Sequence, residues 1–495
     1  MKSFKTQMSN SREVSKFMRQ EPFSRNSRRE EALLDTGAGF CSTLLNFERW
    51  NFSECWVLKL GILTAMLLCC STVPSAAQSL LLSGATVHTI SGETLPNGQV
   101  LLRDGRIAAV GATVPAGSAQ VLDLSGQHLY PGMIALDTAL GLQEIEAVRA
   151  TIDSTEVGEG YAPEVESWIA VNPDSELIPV SRANGIAYFE PVPQGGVVSG
   201  QSGLVAVEGW TTEQRTLKKP LALHLFWPSM ELDTSSGSGR GRGRVAKGKS
   251  FEEQSKERRA KLRAMEDFFA EASHYGKAKD AAAKGGAPAL ERIPAWEAML
   301  PYVRGELPIM IHADEVRQIK AAVGWASTNH YKMVLVGGRD AAKTSDLLKS
   351  NNIPVIYSHT FTLPSRDTDS YDVQFKTPKL LYDAGVRVIF GNGLNSMDAA
   401  LTKNLPYSAS QAVAFGFPEP EALKGLTLYP AQIAGVADRL GAIEPGKDAT
   451  LFAADGDILD IRTHVTHLWV AGKEVSLESR HTRLYEKYKN RPVAR

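Results

Sequence analysis

Short apolar runs alternate with amphipathic segments through the middle of this chain of 495 residues. Runs such as 186–189, 307–311 and 386–390 have the length of buried strands, and a pattern such as 315–326 has the helical period. Repeated strand–helix alternation is typical of a parallel sheet, and this number of units predicts an α/β fold, a (β/α)8 TIM-like barrel. We expect its first strand at 129–136 and its last at 386–390.

Strand-rich segments with Gly, Asn-Gly and Asp-Gly turns flank this middle region on both sides. We therefore expect a small composite β-sandwich domain built from both ends of the mature chain, with residues 78–128 as its first part and 433–478 as its second. The barrel then covers 129–432. The charged and aromatic tail at 479–495 is expected to pack against the barrel or a neighbouring subunit.

One segment interrupts the alternation. Residues 235–249, SSGSGRGRGRVAKGK, are rich in Gly, Ser and Arg and cannot form a core, which predicts a flexible insertion. The alternative interpretation is an RNA-binding tract. The chain carries 54 Lys and Arg against 55 Asp and Glu, so no net field favours a polyanion, and we expect no nucleic-acid partner.

The region before the first strand has the features of an export signal. Residues 56–77 combine a single lysine, an apolar run and a final Ser-Ala-Ala, which predicts a signal peptide cleaved near Ala77. A short membrane anchor or a buried helix is the alternative, but the apolar run has about half of the roughly 20 residues that a membrane span needs. We expect a periplasmic or secreted protein without a membrane span. Residues 1–55 are polar and patternless, and we expect an unstructured extension, with the true start at Val57 or Leu58.

All four cysteines precede the predicted cleavage site. The predicted mature chain therefore has no thiol, which excludes disulfides, thiolate metal sites and cysteine nucleophiles from its chemistry.

Two motifs carry a family resemblance. LYPGMIALDTALGL at 129–142 and LTLYPAQIAGVADRLGAIEPGKDATLFAADGDIL at 426–459 resemble the amidohydrolase superfamily, and within it the exported, imidazolonepropionase-like branch. The resemblance implies a metal-centred barrel with a composite β-sandwich. It also implies hydrolysis of carbon–nitrogen bonds in peptide-like or cyclic amides, with one or two divalent metals that activate water and polarise the carbonyl.

The family's ligand pattern is met in part. The resemblance implies a His-x-His pair at the end of strand one, where Asp137 and Ala139 stand in this sequence. It implies a histidine at the end of strand five, and His312 matches it.

The remaining two positions depart from the pattern. The strand-six histidine is replaced by Gly337, and the strand-eight aspartate by Asn392 or Gly393. One of five expected ligands is plainly present, so we expect no bound metal and leave family hydrolysis in doubt. The alternative is one zinc or iron ion held by a rearranged site.

These positions give a set of candidate site residues. Asp137 and His312 are the catalytic candidates, and Arg149, His359 and Asn392 are candidates for substrate binding, with Arg149 placed to pair with a substrate carboxylate. A rearranged metal site would use Asp137, His312 and His359. His312 as a hydrogen-bonded histidine lining a pocket, and Asp137 as a satisfied carboxylate near helix N-termini, are the structural alternatives. The glycine-rich stretch at 195–203 is a weaker candidate for an anion-binding turn.

Two functional hypotheses remain from the sequence. In the first, the chain is a catalytically degenerate family member, a pseudoenzyme that binds a small amide or peptide-like ligand, or that pairs with an active amidohydrolase or with itself. In the second, it is an active exported amidohydrolase with an atypical single-metal site. The fold resemblance supports both, because function depends on the site and not on the scaffold. The substituted ligand positions favour the first.

Overall fold

A computed structural model describes residues 79–492, except 157, 159, 233–248, 286, 287 and 289. The predicted extension, the signal peptide and nearly all of the predicted flexible insertion lie outside the described residues.

The described residues contain strands that form two sheets. In chain order the strands are β1 (Leu80–Val87), β2 (Leu95–Arg103), β3 (Arg106–Gly111), β4 (Gln120–Asp123), β5 (His128–Pro131), β6 (Met133–Thr138), β7 (Ile186–Pro191), β8 (Val198–Ala206), β9 (Thr216–Phe226), β10 (Ile309–Ala313), β11 (Met333–Gly337), β12 (Val355–Tyr357), β13 (Val388–Gly393), β14 (Leu451–Ala454), β15 (Val465–Val470) and β16 (Lys473–Glu474).

Helices connect and cover most of these strands. In chain order they are α1 (Leu177–Arg182), α2 (Thr212–Arg215), α3 (Phe251–Ala283), α4 (Pro294–Val303), α5 (Val316–Thr328), α6 (Ser345–Ser350), α7 (Val373–Asp383), α8 (Ser396–Leu401), α9 (Leu405–Ala414), α10 (Glu419–Leu426), α11 (Leu428–Ile433) and α12 (Arg480–Lys489). None of the helices in the described part of the chain combines the length and apolarity needed to cross a bilayer.

Strands β6 to β13 close into an eight-stranded barrel. Most of their residues are buried, because apolar side chains fill the interior on one face and helices cover the other. The closed barrel confirms the TIM-like architecture predicted from the alternation of apolar runs and helical patterns.

The expectation of a wholly parallel barrel was wrong at one strand. β8 runs antiparallel to both β7 and β9, whereas the other neighbouring pairs are parallel. Residues 192–197 connect β7 to β8, and a connection this short cannot carry the crossover of a dozen or more residues that a parallel pair requires. β8 therefore returns beside β7 in the opposite direction.

The predicted anion-binding turn at 195–203 was also wrong, because most of that stretch is β8 itself. Its glycines allow close contact between backbones. A Cβ added to Gly196 would lie 2.3 Å from the Cα of Gly160, and one added to Gly200 would lie 2.7 Å from the carbonyl oxygen of Val165. Both glycines also have positive φ angles, which side chains rarely tolerate.

The second sheet joins both ends of the described chain, as predicted. β14, from the C-terminal side, pairs antiparallel with β5, from the N-terminal side. β15 and β16 extend the sheet beyond β14, and β1 to β4 extend it beyond β5. These strands form one eight-stranded sheet, and the predicted sandwich and domain boundaries stay predictions.

The predicted first barrel strand at 129–136 is divided between the two sheets. β5 belongs to the composite sheet and β6 to the barrel, and Gly132 lies between them. A Cβ on Gly132 would approach Ala187 to 2.6 Å and Thr450 to 2.8 Å, so only glycine lets the chain pass between the sheets at this distance. In the tail, α12 has no buried residue, and its Arg483 forms an ion pair with Glu176 at 2.9 Å, beside α1.

Candidate functional site

The carboxyl ends of the barrel strands surround a cavity of about 480 Å³. Four of the five predicted site residues line it, namely Asp137, His312, His359 and Asn392. They meet because parallel strands present their carboxyl ends at one mouth of a barrel, which is where such barrels place their sites.

Arg149 is not among the residues that line this cavity. It lies in a short, exposed 3-10 helix, Arg149–Thr151, within the long connection between β6 and β7. Its position does not support the predicted contact with a substrate carboxylate.

Five side chains form a connected group at the bottom of the cavity, which we call the floor cluster: Asp137, Glu190, Ser202, His224 and His312. Ser202 donates to Glu190 Oε1 at 2.6 Å, and the backbone N–H of Asp137 donates to Glu190 Oε2 at 3.2 Å. His224 Nε2 is 3.3 Å from Glu190 Oε1, close enough for an ionic contact but without hydrogen-bond geometry. His224 Nδ1 and His312 Nε2 share a hydrogen bond of 3.1 Å. A polar chain therefore runs from the barrel interior to its mouth.

Asp137 carries three structural costs at once. Its side chain is 3% exposed, its φ of 56° lies in the left-handed region, and its Oδ1 atom has no hydrogen-bond partner. Burial and the nearby charge of Glu190 raise the pKa of Asp137 to about 8. One carboxyl oxygen of Asp137 is therefore left unsatisfied, which departs from the alternative of a satisfied carboxylate near helix N-termini.

His312 is held in a fixed orientation. Its ring stacks on Phe226 with centroids 4.0 Å apart, and its Nδ1 lies 3.9 Å from Asp137 Oδ1. Burial and the adjacent His224 hold the pKa of His312 well below its ordinary value, so its imidazole is neutral at physiological pH.

A second carboxyl–imidazole contact lies nearer the solvent, and we call it the rim pair: Asp314 and His359. The Asp314 Oδ1 and His359 Nε2 atoms are 2.6 Å apart, and the backbone N–H of Arg339 also donates to Asp314 Oδ1 at 3.2 Å. Burial opposes ionisation of Asp314, but these hydrogen bonds and the charge of His359 hold its pKa below the ordinary value. Gly337 makes room for the pair, since a Cβ there would lie 2.5 Å from Asp314 Oδ1.

Asn392 adds a neutral polar group on β13. Its Nδ2 donates to the carbonyl of Leu401 at 3.1 Å, which turns Oδ1 the other way, and that buried oxygen has no donor. Asp398 also lines the cavity and caps α8 through the N–H of Asn395.

The donor set does not fit the divalent metal that the family resemblance implies. A zinc site takes at least three protein ligands, and here Asp137 Oδ1 and His312 Nδ1 are the two donor atoms that face each other. His312 Nε2 is engaged by His224, and His359 Nε2 by Asp314. Within the described residues, no group of three or more His, Cys, Asp or Glu side chains has the geometry to hold a metal ion.

Glu190 and His224 belong to the site and were missed in the sequence. Each is the one Asp, Glu, His, Lys or Arg in the apolar stretch around it, IAYFEP and LALHLF. A charged or polar side chain within a buried strand needs a partner, and that requirement is the signal that could have identified both residues.

Comparisons with known proteins agree with the barrel. The family model described as the amidohydrolase family matches residues 218–477, which include His312, His359 and Asn392 but not Asp137. An amidohydrolase structure from Thermotoga maritima MSB8 superposes with a TM-score of 0.70 at 25% identity, covering 80% of this chain and 99% of that one.

Two curated proteins also resemble the chain. Amidohydrolase tasK of Hapsidospora irregularis is 22% identical over 403 residues, which are 76% of this chain and 39% of that protein. Imidazolonepropionase of Porphyromonas gingivalis is 27% identical over 151 residues, 29% of this chain and 33% of that protein. The matched parts thus span less than half the length of either relative.

Proposed function

Because the chain belongs to the amidohydrolase family, we propose that its barrel mouth binds a small amide or peptide-like ligand without carrying out the family's metal-dependent hydrolysis. The observation that carries this proposal is the internal pairing of the site's donors. His312 Nε2 is bonded to His224, and His359 Nε2 is bonded to Asp314. The side chains that would hold a metal are therefore used to hold one another.

Ligand binding is favoured over a purely structural role because the residues of the cavity include features that lower the stability of the fold. A buried carboxyl oxygen without a partner destabilises a fold, and so does a left-handed aspartate. Such features persist where a ligand uses them. Pairing with an active amidohydrolase, or with a second copy of this chain, stays a prediction.

A second candidate function is hydrolysis at an atypical single-metal site. The observation that favours it is the position of Asp137 Oδ1, which has no partner and lies 3.9 Å from His312 Nδ1. An oxygen and an imidazole nitrogen at this separation can both approach one ion. The hydrogen bond between His359 and Asp314 would have to break before His359 could become the third metal ligand.

Metal content separates the two candidates. The purified protein is dialysed against zinc or iron, freed of loosely bound metal and analysed by elemental mass spectrometry, with Asp137→Ala as the matched variant. We expect well below one metal per chain in both proteins and no turnover of dipeptides or cyclic amides. One metal per chain that is lost in Asp137→Ala, together with turnover, would contradict the proposal and support the second candidate.

Export is part of the proposal and rests on residues 56–77. N-terminal sequencing of the protein recovered from the periplasm or medium should give a chain that begins near Gln78. A recovered chain that retains residues 1–55 would contradict it.

A further inference from the structure

We infer that the mouth cavity binds the cationic nitrogen group of its ligand, a protonated amine or a guanidinium. This inference rests on the proposed function, since it names the chemical class of the ligand for the same cavity.

The first support is a pair of buried acceptors without donors. Asp137 Oδ1 and Asn392 Oδ1 are both buried, and neither accepts a hydrogen bond. Asp137 is 2% exposed as a whole residue and lines the cavity. A buried acceptor without a donor destabilises the fold. A ligand that brings N–H groups to these oxygens removes that cost.

The two residues that carry these acceptors are neighbours in the barrel sheet. β6 and β13 pair in parallel, with Leu136 opposite Gly391 and Thr138 opposite Gly393. Asp137 and Asn392 are the residues between these partners, so they occupy neighbouring positions on adjacent strands. One ammonium or guanidinium group carries several N–H donors and can serve both oxygens at once.

The charges of the cavity point to the same ligand class. Asp137, Asp314 and Asp398 line it, and no lysine or arginine is among its described lining residues. A carboxylate ligand would meet unsatisfied acceptors and the negative charge of Asp314 there. A cation would find acceptors that nothing else satisfies.

The cavity wall also offers apolar surface. Phe226, at the end of β9, and Trp227 line it. Thr362 also lines it, and its sequence neighbours Phe361 and Leu363 have exposed side chains. A cation attached to an aromatic or aliphatic group therefore fits better than a free inorganic cation.

The test compares four probes of similar shape. Benzylamine and benzamidine are cations, benzamide is neutral, and benzoate is an anion. Binding to the purified protein, stripped of metal with a chelator, is measured by ligand-observed NMR. We expect both cations to bind at least about tenfold more tightly than benzoate, and Asp137→Asn to weaken cation binding by about tenfold.

Two variants control this measurement. Asp460→Asn makes the same chemical change at a surface carboxylate paired with Arg462, and it should leave binding unchanged. Asn392→Leu removes the second acceptor and should also weaken cation binding. It keeps the inference testable if Asp137→Asn does not fold.

The remaining outcomes separate this inference from the function on which it rests. Preferential binding of benzoate that depends on Asp137 would overturn the inference and leave ligand binding at the mouth intact. Absence of any probe binding that depends on Asp137 or Asn392 would overturn both. Displacement of benzylamine by one equivalent of zinc would assign the cavity to a metal and would also overturn both.

Discussion

The floor cluster and the rim pair place the same two groups, a carboxyl and an imidazole, in opposite environments. In the floor, Asp137 Oδ1 lies 3.9 Å from His312 Nδ1, and the carboxyl is 3% exposed. At the rim, Asp314 Oδ1 lies 2.6 Å from His359 Nε2, and the carboxyl is 37% exposed. The floor carboxyl has an oxygen without a donor, whereas the rim carboxyl accepts two hydrogen bonds.

This difference decides which form each carboxyl prefers. Burial beside Glu190 raises the pKa of Asp137 to about 8, so its neutral form dominates at pH 7 while the cavity holds no ligand, and a bound cation would favour its carboxylate form. Hydrogen bonds to the charged form overcome burial at Asp314 and lower its pKa. Residue type and position at a strand end are therefore insufficient to assign a ligand or a base. The donors that surround each carboxyl determine what it can do.

The largest effect is expected from removing the acceptor at the centre of the floor. Glu190→Ala leaves the Ser202 hydroxyl, the Asp137 N–H and His224 without their partner in a fully buried site. We expect a loss of about 3 kcal/mol in the free energy of unfolding, measured by urea denaturation. Removal of one partner of a buried polar pair leaves the other partner buried and unpaired. Glu190→Gln keeps an acceptor and should cost about 1 kcal/mol. Equal, small losses in both variants would show that the cluster is not a stabilising unit.

Much of the barrel could be predicted from the sequence. The apolar runs at 186–189, 307–311 and 386–390 overlap β7, β10 and β13, because a strand buried on both faces is a short continuous apolar segment. Strand direction could not be predicted in this way, since an apolar run reads the same in either direction. The short connection before β8 was the available signal.

The candidate site was predictable where it depended on strand ends. Asp137, His312 and Asn392 each lie at the carboxyl end of a barrel strand, and His359 follows closely after one, so convergence follows from topology. Arg149 depended on the path of a long connection without periodicity, which sequence pattern does not specify. The partners of each group, such as Ser202 for Glu190 and His224 for His312, come from different strands. They can be identified only from the three-dimensional structure.

An intermediate effect is expected from the buried acid. The pKa of Asp137 is about 8 in the folded chain and near its ordinary value of 3.8 in the unfolded chain. Between these values the unfolded chain releases a proton that the folded chain keeps, so the stability of the wild type falls as pH rises. Asp137→Asn removes this pH-dependent loss of stability, and asparagine tolerates the left-handed φ. Its stability relative to wild type should rise by more than about 1 kcal/mol between pH 4 and pH 8 and level off above that, in urea titrations. A difference that does not change with pH would contradict the raised pKa.

The smallest effect is expected at the rim, and with the opposite sign. The folded-state pKa of Asp314 is lowered, so its contribution is present above the ordinary aspartate pKa and is lost as pH falls through the folded value. Asp314→Asn should therefore destabilise the protein near pH 7 by less than about 1 kcal/mol, because the pair is partly exposed and screened. This deficit should begin to shrink below about pH 4 and should vanish once the pH lies below the lowered folded-state pKa, where the wild-type carboxylate is also protonated. The same urea titrations measure it, with Asp267→Asn, at an exposed position on α3, as the surface control. A deficit that persists in acid would mean that Asp314 acts through packing and not through its charge, and the contrast between floor and rim would then rest on Asp137 alone.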